Sequence, residues 1–229
     1  MAKKKKNITK PQVEDEVMID IIEEDDYKES FLDQYQDKIL MAVAAVLIII
    51  AGYFSYKYLM LAPKEKEAMA ELSQAELQFE KDSFTLALDN PGEGYMGFLD
   101  IIDEYSGTKA ANLSKYYAGI SYLNLGMYDA AIEYLKDYDE DELLTAITKF
   151  GALGDAYSES EDFENAKTYY KKAVDQTPNE LLTPYYLKKL GMLFKADNKN
   201  EEANKYFKRI KSEFPKSTEA QDIEKYIAE

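Results

Sequence analysis

Between Lys38 and Lys57 the chain runs "ILMAVAAVLIIIAGYFSY", 18 residues without a charge. Apolar character resumes after Lys57 with "YLMLAP". A helix from about Ile39 to Ala62 is therefore long enough to cross ~30 Å of hydrocarbon. Tyr53, Tyr56 and Tyr58 beside Lys57 have the composition of an interfacial belt with one snorkelling lysine. The apolar run begins too far from the start, and is too long, for a cleavable signal. Upstream, "PQVEDEVMIDIIEEDDYKESFLDQYQDK" is acidic, with small apolar clusters at Val17, Met18, Ile21 and Ile22, then at Phe31, Leu32 and Tyr35. That spacing suits one or two short amphipathic helices, or a largely disordered tail. After Pro63 the apolar residues follow helical periods, with a few Gly and Pro as punctuation. The pattern divides the chain into an acidic tail (1–37), an anchor (38–62) and a helical domain (63–229).

Laid on itself, the helical domain shows a period near 35 residues. "YYAGISYLNLGMYDAAIEYL", "FGALGDAYSESEDFENAKTYYKKAVDQTP" and "LKKLGMLFKADNKNEEANKYFKRIKSEFP" align. Small residues match at Gly119, Gly154 and Gly191, and again at Ala131, Ala166 and Ala203. Large residues match at Tyr122, Tyr157 and Phe194, and at Leu135, Tyr170 and Phe207. Ala173 and Ile210 share a further position, and Pro178 and Pro215 close their copies. The glycines and alanines mark close crossings of two antiparallel helices, and the large residues fill the space beside them. Glu161 or Asp162 is the expected N-cap of a second helix after the turn "SESEDFENA". These residues resemble the tetratricopeptide repeat, a helix–turn–helix unit, with copies over about 112–145, 147–180 and 184–217. The expected fold is all-α: one transmembrane helix, then a tetratricopeptide-like solenoid of three to four helix pairs and a C-terminal cap helix. Upstream, Lys64 to Leu88 reads as one long first helix. Tyr95 to Tyr105 reads as its partner, with Gly97 in the small position. At the other end "STEAQDIEKYIAE" reads as the cap, burying Ala220, Ile223 and Ile227.

The charge changes the list of partners. Asp and Glu number 44 against 28 Lys and Arg, a net charge of −16. Such a surface repels nucleic-acid phosphates, and outside the N-terminal run Lys3–Lys6 no basic stripe with interleaved aromatics offsets it. Without Cys or His the chain has no thiolate nucleophile, imidazole base or Cys/His metal site. Asp137, Asp139 and Asp141 have the odd spacing of a calcium loop, but Glu142 stands where its turn needs glycine and Thr148 where it needs glutamate. Glu161, Asp162 and Glu164 could pair as general acid and base, yet the repeat frame puts them in an exposed turn. The expected protein is not an enzyme and needs no cofactor or metal.

What remains is binding. First helices of stacked repeats line a concave groove. Counting from each aligned glycine, the groove should be lined by Tyr116, Ile120 and Leu123 in one copy, Asp155 and Ser158 in the next, and Lys188, Met192 and Lys195 in the third. The order of parts resembles the bacterial YfgM-like family of single-pass membrane proteins. The resemblance lies in the acidic Glu14 to Asp37, the anchor ending "GYFSYKY", the long helix after Lys64 and the repeats through Pro215. It implies an inner-membrane protein with its N-terminus in the cytoplasm and its repeats in the periplasm. It also implies partners: the SecYEG translocon, a PpiD-like periplasmic isomerase and translocating polypeptides. The lysines flanking the anchor leave the orientation open by themselves. An alternative role is a repeat scaffold for another envelope assembly, in cell division or outer-membrane biogenesis.

Overall fold

The computed structural model describes residues 14–90, 92, 94–140 and 143–227, with the backbone alone for 14–34 and 143–145. The lysine run at Lys3–Lys6 and Asp141 of the acidic loop lie outside these residues. Every regular element described is helical, and the chain divides into two compact units at Leu59 and Met60.

The first unit is built on α1 (Glu14–Ser55), which takes in residues 14–37 of the acidic tail and most of the apolar run. A π-helical turn, Tyr56–Leu61, follows. Pro63 has no N–H to offer the carbonyl four residues back, which explains the widened ladder there. The helical stretch Tyr35–Phe79 is the one among the described residues long and apolar enough to cross a membrane. The side chains of its apolar window are open to their surroundings, Ile48 and Ile49 at 72% and 71%. Exposed aliphatics of that density are stable in lipid and costly in water.

The second unit is a stack of helix pairs. α2 (Ala62–Phe79) and α3 (Phe84–Asp89) come first, then α4 (Phe98–Glu104). α5 (Lys109–Asn124) pairs with α6 (Tyr128–Asp137), α7 (Leu143–Glu159) with α8 (Phe163–Val174), and α9 (Leu182–Ala196) with α10 (Asn200–Glu213). The end is a short α11 (Thr218–Asp222) and a 3-10 turn, Ile223–Tyr226. Ile223 is fully buried, and Ala220 and Ile227 pack against the same core, so the expected cap face is present on a shorter helix.

One turn recurs between the two helices of each pair. Gly126, Glu161 and Asn198 all adopt a left-handed backbone, φ 75°, 64° and 60°. The next residue's N–H reaches back to the carbonyl five residues earlier: Met127 to Tyr122, Asp162 to Tyr157 and Lys199 to Phe194, each 2.9 Å. This closes the first helix by the geometry of a Schellman cap. Asp162 caps the second helix by accepting from the N–H of Asn165.

The same turn sits at Asp82, φ 55°, with Ser83 N–H bonded to Gln78 O at 3.0 Å. Lys64 to Leu88 is therefore not one helix. It is the first pair of the stack, broken at Glu80–Ser83. Seven residues before each left-handed residue stand Ala75, Gly119, Gly154 and Gly191. Five after stand Ala87, Ala131, Ala166 and Ala203, all buried. The insertion that follows Leu88 splits the second helix into α3 and α4. Gly97 is consequently the N-cap of α4 rather than a mid-helix crossing, with Leu88 O where its Cβ would stand.

The crossing glycines meet a particular partner. A Cβ on Gly119 would lie 2.5 Å from Leu135 Cγ, on Gly154 2.4 Å from Tyr170 Cδ1, and on Gly191 2.4 Å from Phe207 Cε1. The large side chain of the second helix lies directly on the glycine, rather than beside it. A second aromatic position completes each unit. Tyr122 stacks on Tyr134, Tyr157 on Tyr169 and Phe194 on Tyr206, with centroids 5.4, 5.3 and 5.4 Å apart. Lysines join successive pairs: Lys136 Nζ donates to Tyr157 Oη at 2.6 Å, and Lys167 Nζ lies 5.5 Å over the Phe194 ring.

Lys167 also donates to Asp197 at 2.5 Å, with side chains 6% and 32% exposed. That hydrogen bond holds the Asp197 carboxyl below its ordinary value of 3.8, against a smaller opposing effect of burial. A depressed carboxyl stabilises the fold fully above its ordinary value and loses the contribution as pH falls through the folded value. Thermal melts between pH 5 and 2 should show this acid limb, and Asp197→Asn should flatten it; an unchanged limb would assign it to other carboxylates.

Candidate binding cleft

The first helices of the second and third repeats approach closely because Gly151 of α7 faces the Tyr186 ring of α9. A Cβ there would lie 1.9 Å from Cζ. Above this contact the two helices leave a cleft of about 460 Å3. α7 contributes Asp155, Ser158 and Glu159, one turn of one face. α9 contributes Tyr185, Lys188, Lys189, Met192 and Leu193. Tyr170 of α8 reaches in from below, and Glu219 of α11 closes the end.

Asp155 organises the cleft. Its Oδ1 accepts from Tyr170 Oη at 2.5 Å and from Lys189 Nζ at 2.6 Å. The Lys189 ammonium lies 4.7 Å from the Tyr185 centroid and 5.9 Å from that of Tyr170. Burial is the largest single effect and opposes its charge, but the hydrogen bonds and charges of Asp155 and Tyr185 together outweigh it and hold its pKa above the ordinary value. Burial first, then the Asp155 charge, push the Tyr170 phenol far up, so it stays a neutral donor. Lys188 has no carboxylate partner among the described residues; its Nζ lies 5.7 Å from the Tyr226 ring. Met192 is 40% exposed, an adaptable apolar surface between the charged positions.

Of the eight residues expected in the groove, Asp155, Ser158, Lys188 and Met192 line this cleft together. Tyr116, Ile120 and Leu123 instead pack half-buried against the cluster of Leu135, Ala152 and Leu153. Lys195 donates to Tyr226 O at 3.0 Å. Counting along first helices alone could not find Glu219, which returns from the cap. Tyr185 and Lys189 had a readable signal: Tyr185 lies one turn before Lys188, and Lys189 one turn before Met192.

A larger hollow, about 520 Å3, lies at the turn before α5 and is polar. Its groups already serve the fold. Lys115 pairs with Asp137 at 2.6 Å, while Asn112 donates to Asp139 O and accepts from Asp139 N–H, at 2.7 and 3.0 Å. Lys115 thus holds the Asp137 carboxylate and Asn112 the Asp139 backbone, in the stretch whose sequence lacks the glycine and glutamate of a calcium loop. No group of three acidic ligands that could hold a metal occurs among the described residues. Of the turn carboxylates, Asp162 is a helix cap and Glu164 pairs with Lys167.

Three segments match family profiles of the tetratricopeptide repeat: residues 150–180 by one form, and residues 114–140 and 189–217 by another. These are tetratricopeptide repeats. They coincide with α5–α6, α7–α8 and α9–α10, and the chain is an all-α tetratricopeptide-repeat solenoid preceded by one long apolar helix. Tetratricopeptide repeats are protein-interaction modules, generally non-enzymatic scaffolds. Among curated proteins no relative matches the chain. The cleft lies between the first helices of two successive tetratricopeptide units, where the stack's inner surface offers both apolar and charged groups.

Proposed function

We propose that this protein is a membrane-anchored, non-enzymatic adaptor of the export machinery, which holds polypeptide segments in the cleft between α7 and α9. One observation carries the reading: Asp155, Ser158, Lys188 and Met192 converge there on a tetratricopeptide solenoid that follows an apolar helix. The mixture of an exposed thioether, a phenol and both signs of charge suits extended segments of varied sequence better than one small molecule. The anchor keeps the cleft at a membrane, so weakly held segments meet it at high effective concentration. The resemblance to YfgM-like proteins supports a site beside the SecYEG translocon on the periplasmic face, near a PpiD-like isomerase.

Photo-crosslinkers at Ser158 and Met192 of the full chain in native membranes test this. The expected products are translocating polypeptides and translocon subunits. Tyr185→Ala, which removes an aromatic contact worth about 1–2 kcal/mol, should lower the yield from Ser158 several-fold. Products confined to cytosolic proteins would overturn the location. Products from a division or outer-membrane assembly complex would transfer the adaptor to that machinery.

A further inference from the structure

Beyond the cleft, the inner face of α9 continues to Lys195, and this part is already filled by the chain itself. The Tyr226 ring lies 5.7 Å from Lys188 Nζ and 5.7 Å from Lys195 Nζ, and the same Lys195 donates to Tyr226 O at 3.0 Å. Two ammonium groups of α9 thus attend one aromatic ring, beside that of the neighbouring Lys225 at 5.3 Å, and Lys195 also holds its backbone carbonyl. That is how a groove recognises an extended segment: a side chain for the ring face, a main-chain acceptor for a donor.

The segment that carries Tyr226 is lightly fixed. It is a single 3-10 turn whose Ile227 N–H bonds to Glu224 O at 3.2 Å. Besides the Lys195 hydrogen bond, its side-chain ion pairs, Lys211–Glu224 and Lys225–Asp222, lie at the surface with exposed side chains. Such pairs contribute little. Ile223, fully buried, anchors the turn at its start, whereas Tyr226 and Ile227 are only half-buried, with the Tyr226 ring 6.0 Å from Phe207. A firm anchor followed by a weakly held aromatic makes a strap that can lift without unfolding the stack.

We propose that the Lys188–Lys195 face of α9 is a recognition surface for a polypeptide segment presenting an aromatic ring and an adjacent backbone carbonyl, and that Tyr226 occupies it as an internal competitor. The inference builds on the groove reading by assigning the chemistry of the partner at one end of the cleft. Lys188 lines the cleft and touches Tyr226, so a segment displacing the strap extends from Met192 onto Lys195. A strap closed nine-tenths of the time weakens the apparent affinity about tenfold.

The test uses the full chain in detergent micelles and a fluorescein-labelled peptide, QDIEKYIAE, copying Gln221–Glu229. By anisotropy, Tyr226→Ala protein should bind this peptide at least about tenfold more tightly than the unaltered chain. Adding Lys188→Ala and Lys195→Ala should abolish the gain, and a peptide with alanine for tyrosine should not bind. Tyr226→Leu keeps apolar cover on Phe207 and should behave like Tyr226→Ala, which separates the effect from any loss of fold. Equal binding by the unaltered and Tyr226 variants overturns the proposal. Hydrogen exchange on the unaltered chain is an independent check. The Ile227 amide should exchange roughly 100-fold faster than that of Phe207, and equal protection would mean the strap does not open. Crosslinks from Ser158 that persist when the peptide fails to discriminate would sink this inference and leave the adaptor reading standing; loss of those crosslinks with discrimination intact would do the reverse.

Discussion

Phe207→Ala is expected to destabilise the repeat unit by about 3–5 kcal/mol. The ring is fully buried and lies directly on Gly191, where no side chain from α9 could move in to replace it. Its other neighbours come from separate elements: Leu187 and Leu190 on α9, Ile210 on α10, and Ile223 and Tyr226 in the cap. Closing the cavity would need α9, α10 and the cap to shift together, so little of the loss is recovered by collapse. Each unit of a solenoid touches only its neighbours, and the damage should stay local. Urea unfolding followed by circular dichroism should therefore become less cooperative, with α9, α10 and the cap melting first. A loss below 1 kcal/mol would mean that the third repeat repacks around alanine.

Gly151→Val is expected to cost about 2–3 kcal/mol or more, for the opposite reason. In an open helix, replacing glycine would help, because glycine is the poorer helix former by up to about 1 kcal/mol relative to alanine. Here a Cβ would fall 1.9 Å from Tyr186 Cζ and 2.1 Å from its Oη. The Tyr186 ring cannot swing clear, since it is buried and held between Tyr170 at 6.0 Å and Tyr185 at 5.0 Å. Overpacking then exceeds the gain in propensity, and α7 must separate from α9. The cleft is built on that contact, so crosslinking from Ser158 should fall together with stability. Tyr186→Ala in the same chain should recover part of the loss, a coupling that a double-mutant cycle reads directly. Additive effects would mean that the two residues do not meet.

The Gly151 contact shows what a periodic reading of the chain misses. Gly119, Gly154 and Gly191 repeat, and they announce the crossing within each pair. Gly151 has no counterpart, because it serves the contact between pairs, and only the packing of α7 on α9 reveals it. The first pair was hidden for a related reason. Ala75 replaces the glycine, and the insertion after Leu88 divides the second helix, so neither the small residue nor the spacing matches the other copies. The turn at Asp82 also lacks glycine and proline. An aspartate can take the left-handed conformation that Gly126 adopts without strain, and "EKDS" thus reads as a continuing helix. Tyr134, Tyr169 and Tyr206 were equally legible as a periodic set; their role as ring partners needed coordinates. In the cleft, Asp155, Ser158, Lys188 and Met192 followed from counting along a helix. Tyr116, Ile120 and Leu123 did not, because the spacing of a face does not say which parts the next helix covers.

The stacked rings carry a consequence for observation. The chain has no tryptophan, so its near-ultraviolet spectrum belongs to tyrosine and phenylalanine alone. Tyr122–Tyr134 and Tyr157–Tyr169 lie nearly parallel at 5.4 and 5.3 Å, with interplanar angles of 20° and 12°. Transitions in rings so close exchange excitation and split, giving each of these two repeats a chiral optical signature of its own. At the same position the third repeat pairs Phe194 with Tyr206, whose transitions differ in energy and couple more weakly, while its Tyr185–Tyr186 pair is edge-on at 5.0 Å. Loss of the split signal on heating would time the opening of these two helix pairs, without a label and without touching the cleft.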